Sequence, residues 1–131
     1  MDITSTSSFP SITAWSRTLA YDTFQTHELL LSYLRWLDQS YGSTVTCTLH
    51  ADRSATIGLH GVDRLTVKAA EHGRIYVQWM QPEPSYWDIL QRTLSKPADL
   101  TKTNDGARWQ FYIDSKPDTY LLRDLTTHLH K

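Results

Sequence analysis

TVTCTLHADRSATIGLHGVDRLTVKAAEHGRIYVQW, residues 44–79, is the stretch that decides how this chain folds. Apolar side chains return in it at every second position. Val45, Cys47 and Leu49 alternate with Thr44, Thr46, Thr48 and His50. Ile57 and Leu59 alternate with Thr56, Gly58 and His60. Leu65, Val67 and Ala69 alternate with Arg64, Thr66 and Lys68, and Ile75, Val77 and Trp79 with Arg74, Tyr76 and Gln78. A strand turns successive side chains to opposite faces, so each segment reads as a strand with one apolar and one polar face. Three short polar breaks separate them: Asp52-Arg53-Ser54, Gly61-Val62-Asp63 and Glu71-His72-Gly73. Strands joined by breaks this short pair as antiparallel hairpins, which predicts a four-stranded meander.

On either side of the meander the period changes to that of a helix. Leu30, Tyr33, Leu34, Leu37 and Tyr41 share one helical face, Asp22 and Gln25 form a capping pair, and Gly42 is placed to end the helix. A helix over 23–40 follows. A shorter stripe, Ile12, Trp15 and Leu19, predicts a helix over about 10–20, with Ser8 as its cap. After Pro82 and Pro84, Ser85 and Asp88 open a short helix carrying Trp87, Leu90 and Leu94, which Pro97 stops. Arg108–Ile113 alternates again, with Trp109, Phe111 and Ile113 inward and Arg108, Gln110 and Tyr112 outward. Ser115 and Asp118 cap a last helix bearing Leu122, Leu125 and Leu129. The prediction is an α+β fold in the order α-β-β-β-β-α-β-α. Three amphipathic helices flank one face of a sheet of at most five strands. One domain over 1–131 is expected, with residues 1–9 frayed.

The bulk numbers agree with a packed domain. The chain has 131 residues, enough to bury roughly two-thirds of its unfolded surface without staples. Hydrophobic residues are 40% and charged residues 21%, which excludes a disordered chain. A formal net charge of -1 implies no globally electrostatic partner. Cys47 is the one cysteine, so no internal disulfide is expected. Neither a secretory leader nor a membrane-spanning run is evident, which makes the cytoplasm the expected location.

No motif names a reaction. There is no H-E-x-x-H, C-x-x-C, G-x-S-x-G, P-loop or dinucleotide fingerprint, so no catalytic residue, metal or cofactor is expected. His50 and His60 lie on the polar face of the meander. A hairpin about Asp52-Arg53 sets His50 near Ala55 and His60 near Val45, which is too far apart for a shared metal. Most of the aspartates sit at caps and turns, where backbone hydrogen bonding explains them. Cys47 faces inward and reads as a small hydrophobe.

The order of elements resembles small bacterial frataxin-like domains, with Trp109, Asp114 and Pro117-Asp118 ahead of a Leu-rich final helix. That family's first helix is acidic, whereas 23–40 carries only Glu28 and Asp38, so the resemblance brings no iron chemistry with it.

What remains is the polar face. Arg64, Lys68, Arg74, Tyr76, Gln78 and His60 cluster there, and Trp87, beside a rigid Pro-rich connector, is a candidate anchor. A solvated sheet face carries such residues for strand propensity alone. Their functional reading is a non-catalytic binding module, of the small bacterial or phage accessory, inhibitor or immunity type. It would meet a protein partner or a second copy of itself, with no membrane involved. The alternatives are a nucleic-acid-binding domain using the same face, and a small hydrolase or metal-dependent enzyme using His50 and His60.

Overall fold

A computed structural model describes residues 2–5, 15, 17, 24–70, 74–114 and 116–130. The fold is α+β. Strands β1 (Asp2–Ser5), β2 (Val45–Leu49), β3 (Ser54–Leu59), β4 (Val62–Ala69), β5 (Ile75–Met80), β6 (Thr101–Lys102) and β7 (Arg108–Ile113) form one sheet, ordered β1-β2-β3-β4-β5-β7-β6. The α-helices with described bounds are α1 (Phe24–Tyr41), α2 (Tyr86–Thr93) and α3 (Lys116–His130). The meander is present as β2 to β5, and β7 joins it beside β5, antiparallel throughout.

Two strands correct the expectation of five. Asp2–Ser5 is not frayed: it pairs in parallel with β2, Ile3 opposite Cys47. β6 pairs with β7 through Thr101 and Lys102. Neither shows alternation in sequence, so both owe their conformation to a neighbouring strand edge. The helix expected over 10–20 lies outside the described residues except at 15 and 17. Trp15 is fully buried and its indole N–H donates to the His50 carbonyl at 3.2 Å.

The inward residues of β2, β3, β4, β5 and β7 form one core with Leu30, Tyr33, Leu34 and Leu37 of α1, Leu90 of α2, and Leu122 and Leu125 of α3. The alternation works because a polar side chain on that face would lose water without gaining a partner. The helices are tied to each other as well as to the sheet. The Tyr33 hydroxyl, fully buried, shares a 2.8 Å hydrogen bond with Thr126 Oγ1. Gly42, at φ 55°, ends α1 as its sequence position requires.

Two local features reshape the polar face. The β3–β4 turn is His60-Gly61, both at positive φ (54° and 80°), with Leu59 opposite Val62. That is the left-handed two-residue turn whose twist suits a hairpin. His60 is therefore a turn residue and not an outward strand residue. A register shift at Ile57/Gly58 then pairs Gly58 with Asp63 and Ile57 with Leu65, which leaves Arg64 as the extra residue of a bulge. A Cβ on Gly58 would clash with Thr46 Oγ1, so glycine lets the strands close there.

Cys47 makes one consequence of this burial measurable. Its thiol is buried, and desolvation raises its pKa from 9.0 to about 12. Above pH 9.0 the unfolded chain releases this proton while the native thiol still holds it, so stability falls as pH rises toward 12. The slope should reach at most about 1.4 kcal/mol per pH unit from this group. Urea midpoints of wild type and Cys47→Ala at pH 8 and about 10.5 check this: the variant should lose less. Equal losses would show that the thiol ionises normally.

Candidate functional site

Strand register assembles the polar face into rows. One row runs Ser54, Lys68, Tyr76, Tyr112 across β3, β4, β5 and β7. The next runs Thr48, Thr56, Thr66, Gln78, Gln110, Thr101 across six strands. Directly opposed residues on one face touch, so each row is a line of neighbouring side chains. Gln78 links the two rows: its amide N–H donates to the Tyr76 hydroxyl at 3.5 Å and its carbonyl accepts from Arg108 at 3.4 Å.

At the end of the first row the surface sinks into a concavity of about 540 Å³, lined by Asp52, Arg53, Lys68, Ala69, Ala70, Arg74, Tyr76 and Tyr112. The three cations come from different places: Arg53 from the β2–β3 turn at φ 72°, Lys68 from β4, and Arg74 from just before β5. Ala69 and Ala70 leave space between them. Arg74 is held from two sides. Its guanidinium lies 4.1 Å from the centroid of the Tyr112 ring and 3.5 Å from Asp99 Oδ2. Tyr112 meets Tyr76 edge to face, centroids 5.6 Å apart.

Two carboxylates border the site without closing it. Asp52 accepts from Ser54 N–H at 3.0 Å and from the Ser54 hydroxyl at 2.6 Å, bonds that hold its pKa below the ordinary carboxylate value. It therefore serves the turn, and its contact with Lys68, at 3.8 Å, is long and exposed on both sides. An exposed pair of that kind contributes about 0–1 kcal/mol. Burial, followed by the neighbouring Tyr112, raises the pKa of Tyr76, so its hydroxyl keeps its proton and is a donor at neutral pH.

Of the candidate residues read from sequence, Lys68, Arg74 and Tyr76 meet at this concavity and Gln78 borders it. The others do not. Arg64 sits toward the other end of β4 and reaches the Gln81 carbonyl at 3.4 Å. His60 hydrogen-bonds the His130 carbonyl and lies 4.9 Å ring to ring from His130, which itself stacks on Tyr41. Trp87 is on the helix side. It is half-buried, edge-on to Trp109 at 5.0 Å, with Lys102 Nζ 4.3 Å above its ring. Tyr86 also packs inward, against Trp79, so neither is a free anchor.

His50 bonds Thr56 Oγ1 at 2.8 Å, at the opposite end of the β2–β3 hairpin from His60. Among the described residues no group of three or more His, Cys, Asp or Glu side chains could hold a metal ion. Sequence reasoning missed Tyr112, Arg53 and Asp52. Tyr112 was recoverable, because it is an outward residue of a strand that had to pair somewhere.

The chain matches no protein-family model, no curated protein and no solved structure. Among the described residues no helix is long and apolar enough to cross a membrane.

Proposed function

We propose that this chain is a non-catalytic binding module that meets an acidic protein surface through the polar face of its sheet. The observation that carries the reading is the convergence of Arg53, Lys68 and Arg74 with Tyr76 and Tyr112 around one concavity. Arginine and tyrosine give binding energy at little conformational cost, and cations select an acidic partner. Single-stranded nucleic acid is the second reading, since paired tyrosines among cations resemble a stacking platform. Two features weigh against it: Arg74 covers one face of Tyr112, and the two phenol rings stand edge to face rather than offering parallel planes.

The test is affinity capture with wild type and with the double charge reversal Lys68→Glu/Arg74→Glu, after circular dichroism shows both folded. The reversal should abolish capture of the wild type's protein partners. An unchanged set of captured proteins would remove this surface from the reading. Salt-sensitive binding of an oligonucleotide, with no protein captured, would favour the alternative.

A further inference from the structure

The same concavity suits a more specific chemistry than general acidity. We propose that it is a phosphate-binding site, and that it reads a phosphorylated side chain on the protein partner. This rests on the binding-module reading above.

Lys68 brings three N–H groups, Arg53 and Arg74 bring guanidinium forks, and Tyr76 and Tyr112 bring hydroxyls. A carboxylate has two oxygens and one charge, and would leave much of this set unused. A phosphomonoester has three terminal oxygens and a charge of roughly −1.5 to −2 at pH 7. Those oxygens can engage several of the cations at once.

Lys68 and Arg74 hold carboxylates only at long range. Their carboxylate neighbours stand at 3.8 Å from Lys68 and 3.5 Å from Arg74. Charge-assisted bonds close to about 2.7–2.9 Å. A phosphate can therefore approach Lys68 and Arg74 more closely than Asp52 and Asp99 do, while Asp52 stays on Ser54 and keeps the turn intact. The Arg74 guanidinium already rests over the Tyr112 ring, so less freedom is lost when its fork engages an anion. Gln78 donates to the Tyr76 oxygen, which leaves the phenol proton for a ligand.

The test uses three peptides with one uncharged flanking sequence and a central phosphoserine, glutamate or serine, titrated into the whole chain by calorimetry. The phosphoserine peptide should bind at least about tenfold more tightly than the other two. Inorganic phosphate should compete with it. Lys68→Gln, at an exposed position, and Arg74→Lys, which keeps the charge but loses the fork, should each weaken it by about fivefold or more.

Equal binding of the glutamate and phosphoserine peptides, or binding of neither, would overturn the phosphate assignment. So would preferential binding of an oligothymidylate. Capture from a phosphatase-treated lysate separates the two proposals. A partner retained after that treatment, yet lost on Lys68→Glu/Arg74→Glu, leaves the binding module standing and removes the phosphate. A partner lost on both treatments supports both proposals. A partner that survives both treatments overturns both proposals.

Discussion

Replacing Trp79 with alanine should cost about 3–5 kcal/mol, the range for emptying a large aromatic from a packed core. Trp79 is fully buried on β5, opposite Leu65 on one side and Trp109 on the other. Its ring meets Tyr86 at 5.6 Å and Trp109 at 5.3 Å, both edge-on, and Trp109 in turn meets Trp87. The indole therefore joins the sheet to α2, and its loss opens a cavity that backbone on two flanking strands cannot close. Domains of this size have only about 5–15 kcal/mol in total, so the variant should be near unfolding at 37 °C. Trp79→Phe should lose far less. It keeps an edge-on ring and orphans nothing, since the indole N–H has no hydrogen-bond acceptor among the described residues. Urea denaturation of both variants decides the point: a Trp79→Ala loss below about 1 kcal/mol would mean the ring is not a structural joint.

Asp118→Ala should be the next most damaging change, at about 2–4 kcal/mol. The side chain is buried, at 1% exposure, yet it is a carboxylate. It survives there because three donors surround it: Ser95 N–H at 3.1 Å, the Ser95 hydroxyl at 3.0 Å and Asp114 N–H at 3.1 Å. It also sits in the first turn of α3, where the helix dipole favours negative charge. Alanine would strand two backbone N–H groups and release the segment after α2 from the start of α3. Asparagine should recover only part of the loss, because one of its two ends is a donor facing donors. Thermal melting measures both, with exposed Asp124→Ala as the control that should not shift. A melting point unchanged in Asp118→Ala would show that water replaces the carboxylate.

The contrast between Asp118 and Lys68 shows where sequence reading succeeds. Spacing placed Asp118 at a helix start, and it is in the first turn, but its bonds to Ser95 span 23 positions and no local pattern signals them. The meander was legible because alternation over Val45–Trp79 is locked by burial: a slip of one residue would turn every apolar side chain outward. Its register was legible to within one residue, Val45 pairing with Leu59 where turn position alone sets it beside His60. The one-residue difference was set in the β2–β3 turn, where Arg53 takes a φ of 72° and the His50 N–H donates to the Ser54 carbonyl. β1 and β6 were not legible, because four and two residues are too few to show a period. The concavity was half legible. Lys68, Arg74 and Tyr76 follow from the face they share, whereas Tyr112 needed the pairing of β7 with β5, and Arg53 needed the turn geometry.

β6 has a further consequence. It is two residues long, and the Pro97–Asp99 turn lies against β7 beside it. A sheet rim so short and so interrupted offers little unpaired backbone to an incoming strand. Neither fibril-like stacking of copies nor the addition of a guest strand finds a template there. A partner reaching β6 meets side chains more than open backbone.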